Sequence, residues 1–75
     1  MITLDDFITA FSEEFDETPA DEIHPGTIFK ELGQYDSLMS LSILAMIDEI
    51  VGKRVSGEEL RSCKTVEDLY KLVIS

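Results

Sequence analysis

Apolar residues recur at the spacing of an α-helix along most of this 75-residue chain, and this periodicity limits the possible folds more than any other feature. No segment alternates between apolar and polar residues for long enough to predict a β-strand. We therefore predict an all-α fold, a small four-helix bundle with three longer helices and one short helix. We expect it to form a single domain over residues 1–75, with a modest core and no enclosed active site.

The first helix is predicted over residues 4–15. It follows Thr3, which with Asp6 resembles a capping arrangement, and its apolar side chains lie at helical spacing: Leu4, Phe7, Ile8, Phe11 and Phe15. The periodicity is lost over residues 16–26, where two prolines and many carboxylates predict a loop. A short helical turn that ends at Gly33 should then place three more apolar side chains under the core, those of Ile28, Phe29 and Leu32.

Two capping boxes predict the starts of the later helices. Ser56 with Glu59 should begin a short third helix, and Thr65 with Asp68 should begin the last one. An apolar stripe follows the second box, formed by Val66, Leu69, Tyr70, Val73 and Ile74.

The second helix is predicted over residues 37–51, with Gly52 as its end. Its apolar residues exceed what one core needs. One side is predicted to be core and carries Met39, Ile43, Met46, Ile47 and Ile50. A second sector mixes apolar, polar and acidic residues: Leu38, Leu41, Ser42, Ala45, Asp48 and Glu49. We predict that this second sector, called here the partner face, binds other proteins, because a helix often presents excess apolar surface to a partner.

Sixteen acidic and six basic residues give the chain a formal net charge of −10. This charge argues against binding to nucleic acid or anionic membrane surfaces and favours basic protein partners. The apolar content of 44% is too high for a disordered acidic tail. Every apolar stretch is interrupted within a few positions, so we expect no membrane insertion. A single cysteine, Cys63, and a single histidine, His24, predict neither an internal disulfide nor a metal site, and we expect a reducing, cytoplasmic location.

The tripeptide Asp36-Ser37-Leu38 lies where a Gly-containing loop gives way to the second helix. This position puts a serine hydroxyl at the start of a helix, where unpaired N–H groups and the positive end of the helix dipole favour a negatively charged group. The alternative to a modified serine is an ordinary, unmodified serine at the first or capping position of a helix. Asp36 can equally be a helix cap or a determinant for a modifying enzyme.

Over nearly its full length the chain resembles an acyl carrier protein. The resemblance is carried by four segments, residues 29–33 (FKELG), 36–38 (DSL), 47–52 (IDEIVG) and 65–69 (TVEDL). It implies that 4′-phosphopantetheine is esterified to Ser37, between Asp36 and Leu38, by a phosphopantetheinyl transferase. It also implies a non-catalytic monomer that serves acyl-loading and acyl-processing enzymes with basic or apolar docking patches, in fatty-acid, lipid or polyketide-type synthesis.

The sequence departs from this family pattern in two places. Gln34 and Tyr35 separate Gly33 from Asp36, where carriers of fatty-acid synthesis usually have one residue. Such carriers also tend to have acidic residues early in the second helix, whereas this chain has Met39 and Ser42 there, so we expect a pathway-dedicated carrier. Two other functions remain open: an aminoacyl or D-alanyl carrier with the same cofactor, and an acidic interaction module without a prosthetic group.

Overall fold

The structure, a computed structural model, describes residues 2–75. It contains four α-helices: α1 Leu4–Glu14, α2 Ser37–Val51, α3 Gly57–Ser62 and α4 Val66–Ile74. Two short 3₁₀ helices, Ala20–Glu22 and Phe29–Glu31, lie in the connection between α1 and α2. Over residues 2–75 the only β-type pairing is an isolated bridge between Ile28 and Thr65. The predicted all-α fold of three longer helices and one short helix is therefore confirmed.

Aromatic side chains form the centre of the core. The ring of Phe11 stacks on Phe15 at a centroid distance of 5.2 Å and meets Phe29 edge-on at 5.7 Å. Phe29 is buried although it lies in the connection, so the short 3₁₀ helix Phe29–Glu31 is fixed to the bundle by its own side chain. Removal of a buried phenylalanine typically costs about 3–5 kcal/mol, so this contact is a strong anchor.

The helix boundaries follow from local hydrogen bonds. The hydroxyl oxygens of Thr3, Ser56 and Thr65 each accept the N–H of the residue three positions on, and the last two complete reciprocal capping boxes. Gly52 ends α2 in the left-handed region at φ 75°, which glycine adopts without steric cost. The predicted caps of α1, α3 and α4 and the predicted end of α2 at Gly52 are confirmed.

The start of α4 is bonded to the loop before the second 3₁₀ helix. The N–H of Val66 donates to the carbonyl of Thr27 at 3.1 Å, and that of Glu67 donates to the carbonyl of Pro25 at 2.9 Å. These bonds satisfy N–H groups that a helix leaves free at its first turn. They also fix the position of the segment that carries Phe29 and Lys30 beside α3 and α4.

Four details differ from the sequence prediction. The short helical turn ends at Glu31 with Leu32 as its C-cap, so its predicted end at Gly33 is wrong. Helix α1 ends at Glu14, with Phe15 as its C-cap, and the connection contains the unpredicted 3₁₀ helix Ala20–Glu22. The assignment of Ile50 to the core is wrong, because its side chain is 42% exposed on the rim of a shallow groove between the C-terminal ends of α2 and α4. Helical periodicity shows on which side a residue lies, but not how far along the helix its neighbours extend.

No helix among residues 2–75 is long and apolar enough to cross a membrane.

Candidate functional site: the N-terminus of α2

Helix α2 begins with a side-chain cap from Asp36. This residue has extended backbone angles, and its Oδ1 accepts the backbone N–H of Met39 at 2.7 Å. The carbonyl of Asp36 accepts the N–H of Ser40 at 3.0 Å, which closes the first turn. Asp36 is thus the N-cap and Ser37 is the first residue of the helix, which decides between the two structural positions open for this serine.

Ser37 is exposed at this helix end, and the next residue, Leu38, is 72% exposed. Because Asp36 supplies the cap, the hydroxyl of Ser37 is not needed to satisfy the first turn. Unpaired backbone N–H groups and the positive end of the helix dipole surround this position, and both stabilise an anionic group there.

The two residues before Asp36 hold the loop that presents Ser37. The side-chain oxygen of Gln34 accepts the N–H of Glu17 at 3.1 Å and the hydroxyl of Thr18 at 3.2 Å, and its Nε2 donates to Asp16 at 2.7 Å. These bonds join the loop before α2 to the loop after α1. Gln34 therefore fastens the loop that presents Ser37.

Tyr35 anchors the same loop to the core. Its ring meets the ring of Phe29 edge-on at a centroid distance of 5.6 Å. Burial raises the pKa of the Tyr35 hydroxyl, and the positive charge of Arg61 opposes that rise. Tyr35 and Arg61 both line one open cleft.

An open cleft of about 550 Å³ lies beside Ser37, between the loop and α3. Its lining comprises Lys30, Tyr35, Asp36, Ser37, Ser40, Gly57, Leu60 and Arg61. Sequence reasoning missed the two basic members, Lys30 and Arg61. They are 31 positions apart, so no local motif connects them. The only sequence feature that could have drawn attention to them is the scarcity of basic residues in an acidic chain.

The partner face is present as one surface of α2. The exposed apolar side chains at its N-terminal part are those of Leu38 and Leu41, which is 63% exposed. Ala45, Asp48 and Glu49 are also exposed and extend the face towards the C-terminal end, whereas Ser42 is half-buried. The six residues predicted for this face thus lie together, with the acidic groups at the end far from Ser37.

The single cysteine and the single histidine, for which the sequence predicts no site, do not line the cleft. Cys63 is buried, its thiol donates to the carbonyl of Glu59 at 3.4 Å, and burial raises its pKa. His24 is exposed in the loop before the second 3₁₀ helix. Among residues 2–75 no group of three or more His, Cys, Asp or Glu side chains is arranged to hold a metal ion.

The sequence model of one protein family, described as the phosphopantetheine attachment site, matches residues 5–73. The chain belongs to this family. The match covers α2 and α3 completely and all but one terminal residue of α1 and of α4. The family is the one to which the resemblance to acyl carrier proteins pointed. No curated protein and no solved structure shows a significant match.

Membership identifies the chain as a phosphopantetheine carrier protein and 4′-phosphopantetheine as its covalent cofactor, which confirms the cofactor predicted from the sequence. Domains of this family are modified by a phosphopantetheinyl transferase, interact with partner enzymes and are generally non-catalytic. An exposed hydroxyl at a helix N-terminus fits such a group, since the attached phosphodiester is an anion.

Proposed function

We propose that the chain is an acyl carrier protein that holds acyl intermediates as thioesters on a 4′-phosphopantetheine arm attached to Ser37. The observation that carries the proposal is the exposure of Ser37 at the first position of α2, with the cap supplied by Asp36 instead. When attached, the group supplies a thiol on a flexible arm. The chain itself contributes the attachment oxygen, an electrostatically favourable place for the phosphodiester, and a surface for partner enzymes.

Comparison with the other hydroxyl residues of α2 supports the choice of Ser37. Ser40 is half-buried, and its hydroxyl donates to the carbonyl of Ser37 at 2.7 Å. Ser42 is half-buried as well and lies more than one turn further along the helix. A modifying enzyme must bring a bulky donor up to the acceptor oxygen, so the exposed residue at the helix end is the most accessible target.

The partner face supports a carrier whose docking depends strongly on apolar contacts. Leu38 and Leu41 are the two most exposed large apolar side chains among residues 2–75, and both lie close to Ser37 along α2. Asp48 and Glu49 lie at the other end of the face. We therefore propose partner enzymes in lipid, fatty-acid or polyketide-type synthesis with an apolar docking patch flanked by basic residues. We also propose that the carrier acts as a monomer in the cytoplasm, so that this face stays free for successive enzymes.

The cargo can be determined by isolating the protein from its native cells under conditions that preserve thioesters. Intact-mass measurement before and after hydroxylamine, which cleaves thioesters, gives the mass of the cargo. The proposal predicts a hydroxylamine-sensitive acyl group on the arm. An amino acid released instead would identify an aminoacyl or D-alanyl carrier. An unmodified chain from cells with an active phosphopantetheinyl transferase would leave only an interaction module.

A further inference from the structure

The cleft beside Ser37 concentrates positive charge in a strongly acidic chain. Two of its eight lining residues, Lys30 and Arg61, are basic, although the whole chain has only six basic residues against sixteen acidic ones. They come from different elements, the 3₁₀ helix Phe29–Glu31 and α3. The fold, and not a local run of basic residues, therefore brings the two charges to the same cleft.

Lys30 connects the two elements that carry the charges. The ammonium group of Lys30 donates to the backbone carbonyl of Arg61 and lies 5.9 Å from the centroid of the Phe29 ring. The guanidinium of Arg61 lies near Gly57 at the start of α3. The bond from Lys30 thus joins the 3₁₀ helix Phe29–Glu31 to α3 across the cleft.

An anion is required at this location once the carrier is modified. Attachment to Ser37 adds one phosphodiester charge next to the carboxylate of Asp36, in a chain whose net charge is already −10. Ser37 and Asp36 line the same cleft as the two cations. Opposite charges across the cleft offset the repulsion that the new charge meets, and arginine and lysine are the usual protein partners of phosphate oxygens.

The size and lining of the cleft suit more than a single ion. Its volume of about 550 Å³ lies within the usual range for small-molecule sites, roughly 300–1,000 Å³. Leu60 supplies the aliphatic part of the lining, although its side chain is almost completely buried. The arm begins with a phosphodiester, which matches the two basic residues, and continues with an aliphatic segment, which matches the apolar residue.

We propose that this cleft binds the phosphodiester and the adjoining aliphatic part of the arm, with Lys30 and Arg61 on the phosphate oxygens and Leu60 against the aliphatic segment. The inference rests on the proposed attachment at Ser37. It adds that the arm, when no enzyme is bound, lies along α3 instead of moving freely in solvent. A partner enzyme then competes with Lys30 and Arg61 for the phosphodiester.

Arg61→Gln is the sharpest variant for a test, because it removes the guanidinium and keeps the backbone carbonyl that accepts the Lys30 bond. Arg54→Gln is the matched control: it removes the same charge from an exposed arginine that does not line the cleft. Lys30→Gln and the double variant complete the set. Each protein is loaded with coenzyme A and a phosphopantetheinyl transferase, and intact mass verifies the loading before any further measurement.

The readout is the ³¹P NMR signal of the phosphodiester, together with the change in the backbone amide signals of Gly57 and Leu60 on loading. In the wild type and in Arg54→Gln, we expect a ³¹P signal that is broader than that of the double variant and that shifts with added salt. We expect Arg61→Gln to lose most of that salt-dependent shift, and the double variant to lose all of it along with the amide changes on loading. Amide spectra of the unloaded variants check that the fold is retained.

The inference is overturned if loaded Arg61→Gln, Lys30→Gln and Arg54→Gln give the same ³¹P signal as the wild type. Inorganic phosphate added to the unloaded protein is the second control. If it shifts Gly57 and Leu60 while loading does not, the cleft takes free phosphate and the inference is also wrong. A failure to load Ser37 at all would appear in the mass measurement and would count against the proposed function instead.

Discussion

Oδ1 of Asp36 lies 2.7 Å from the backbone nitrogen of Met39 and accepts its hydrogen bond. This bond starts α2 and leaves the hydroxyl of the intervening Ser37 free of capping. The sequence left two roles open for Asp36, as a helix cap and as a recognition element for the transferase. The structure shows the cap, and the two roles can be separated by substitution.

Asp36→Ala should lower the free energy of unfolding by about 1 kcal/mol, since it removes an N-cap acceptor. Asp36→Asn should cost much less, because an amide oxygen can accept the same bond. Urea unfolding monitored by circular dichroism measures both. If the asparagine variant is as unstable as the alanine variant, the cap does not act through its hydrogen bond. A slow loading rate in Asp36→Asn at unchanged stability would assign Asp36 a role in transferase recognition as well.

Gln34→Ala should lower the free energy of unfolding by about 1–2 kcal/mol, because it removes the bonds to Asp16, Glu17 and Thr18 that join two loops. Amide hydrogen exchange at Glu17 should accelerate, since its N–H loses its acceptor. Gln34→Glu is the control that keeps an acceptor for Glu17 and loses the donor to Asp16. Unchanged exchange at Glu17 in the alanine variant would show that this contact does not hold the loop.

The helices could be predicted from the sequence because their signals are local. For α2, the cap at Asp36 and the left-handed Gly52 fixed both ends, and the predicted range of 37–51 agrees with Ser37–Val51. The exposure of Ile50 could not be predicted, since it depends on where the neighbouring helices end. The cleft could not be predicted from the sequence either, because only the tertiary fold brings Lys30 and Arg61 to the same place.

Leu41→Glu should slow acyl transfer to a cognate enzyme while leaving the melting temperature nearly unchanged, because this exposed side chain lies on the partner face. A charged group there would be desolvated in an apolar contact. Ala20→Glu is the matched control, with the same change in net charge at an exposed position outside α2. Equal transfer rates for the two variants would remove Leu41 from the docking surface.

Cys63 should react slowly with thiol reagents in the folded protein. Its thiol is buried and donates to Glu59, and burial raises its pKa, so the reactive thiolate is scarcer at any given pH than for a free cysteine. The loaded protein should therefore show one fast thiol, on the arm, and one slow thiol that becomes fast in denaturant. Two equally fast thiols in the folded state would contradict the burial of Cys63.

Asp68 should make stability depend on pH. The N–H groups of Thr65 and Lys64 donate to its carboxylate and hold its pKa below the ordinary value. The ionised form is favoured in the folded state. Its contribution to the free energy of unfolding is therefore present above the unfolded pKa of about 3.9 and is lost as the pH falls through the lower folded pKa. Asp68→Ala should thus be less stable than the wild type at neutral pH, with a difference that shrinks in acid.

Urea unfolding at several pH values measures this difference, and Glu67→Ala, in the same first turn of α4, corrects for the removal of one acidic charge. A deficit of Asp68→Ala that stays constant from neutral pH to below its folded pKa would show that the backbone bonds do not favour the carboxylate.

The attachment of the arm at Ser37 is tested most directly by loading the unmodified protein with coenzyme A and a broad-specificity phosphopantetheinyl transferase, followed by intact-mass measurement and peptide mapping. The wild type, Ser40→Ala and Ser42→Ala should each gain the mass of one phosphopantetheinyl group on the peptide that contains residue 37, and Ser37→Ala should gain none. A Ser37→Ala variant that gains the same mass as the wild type would contradict the proposed site.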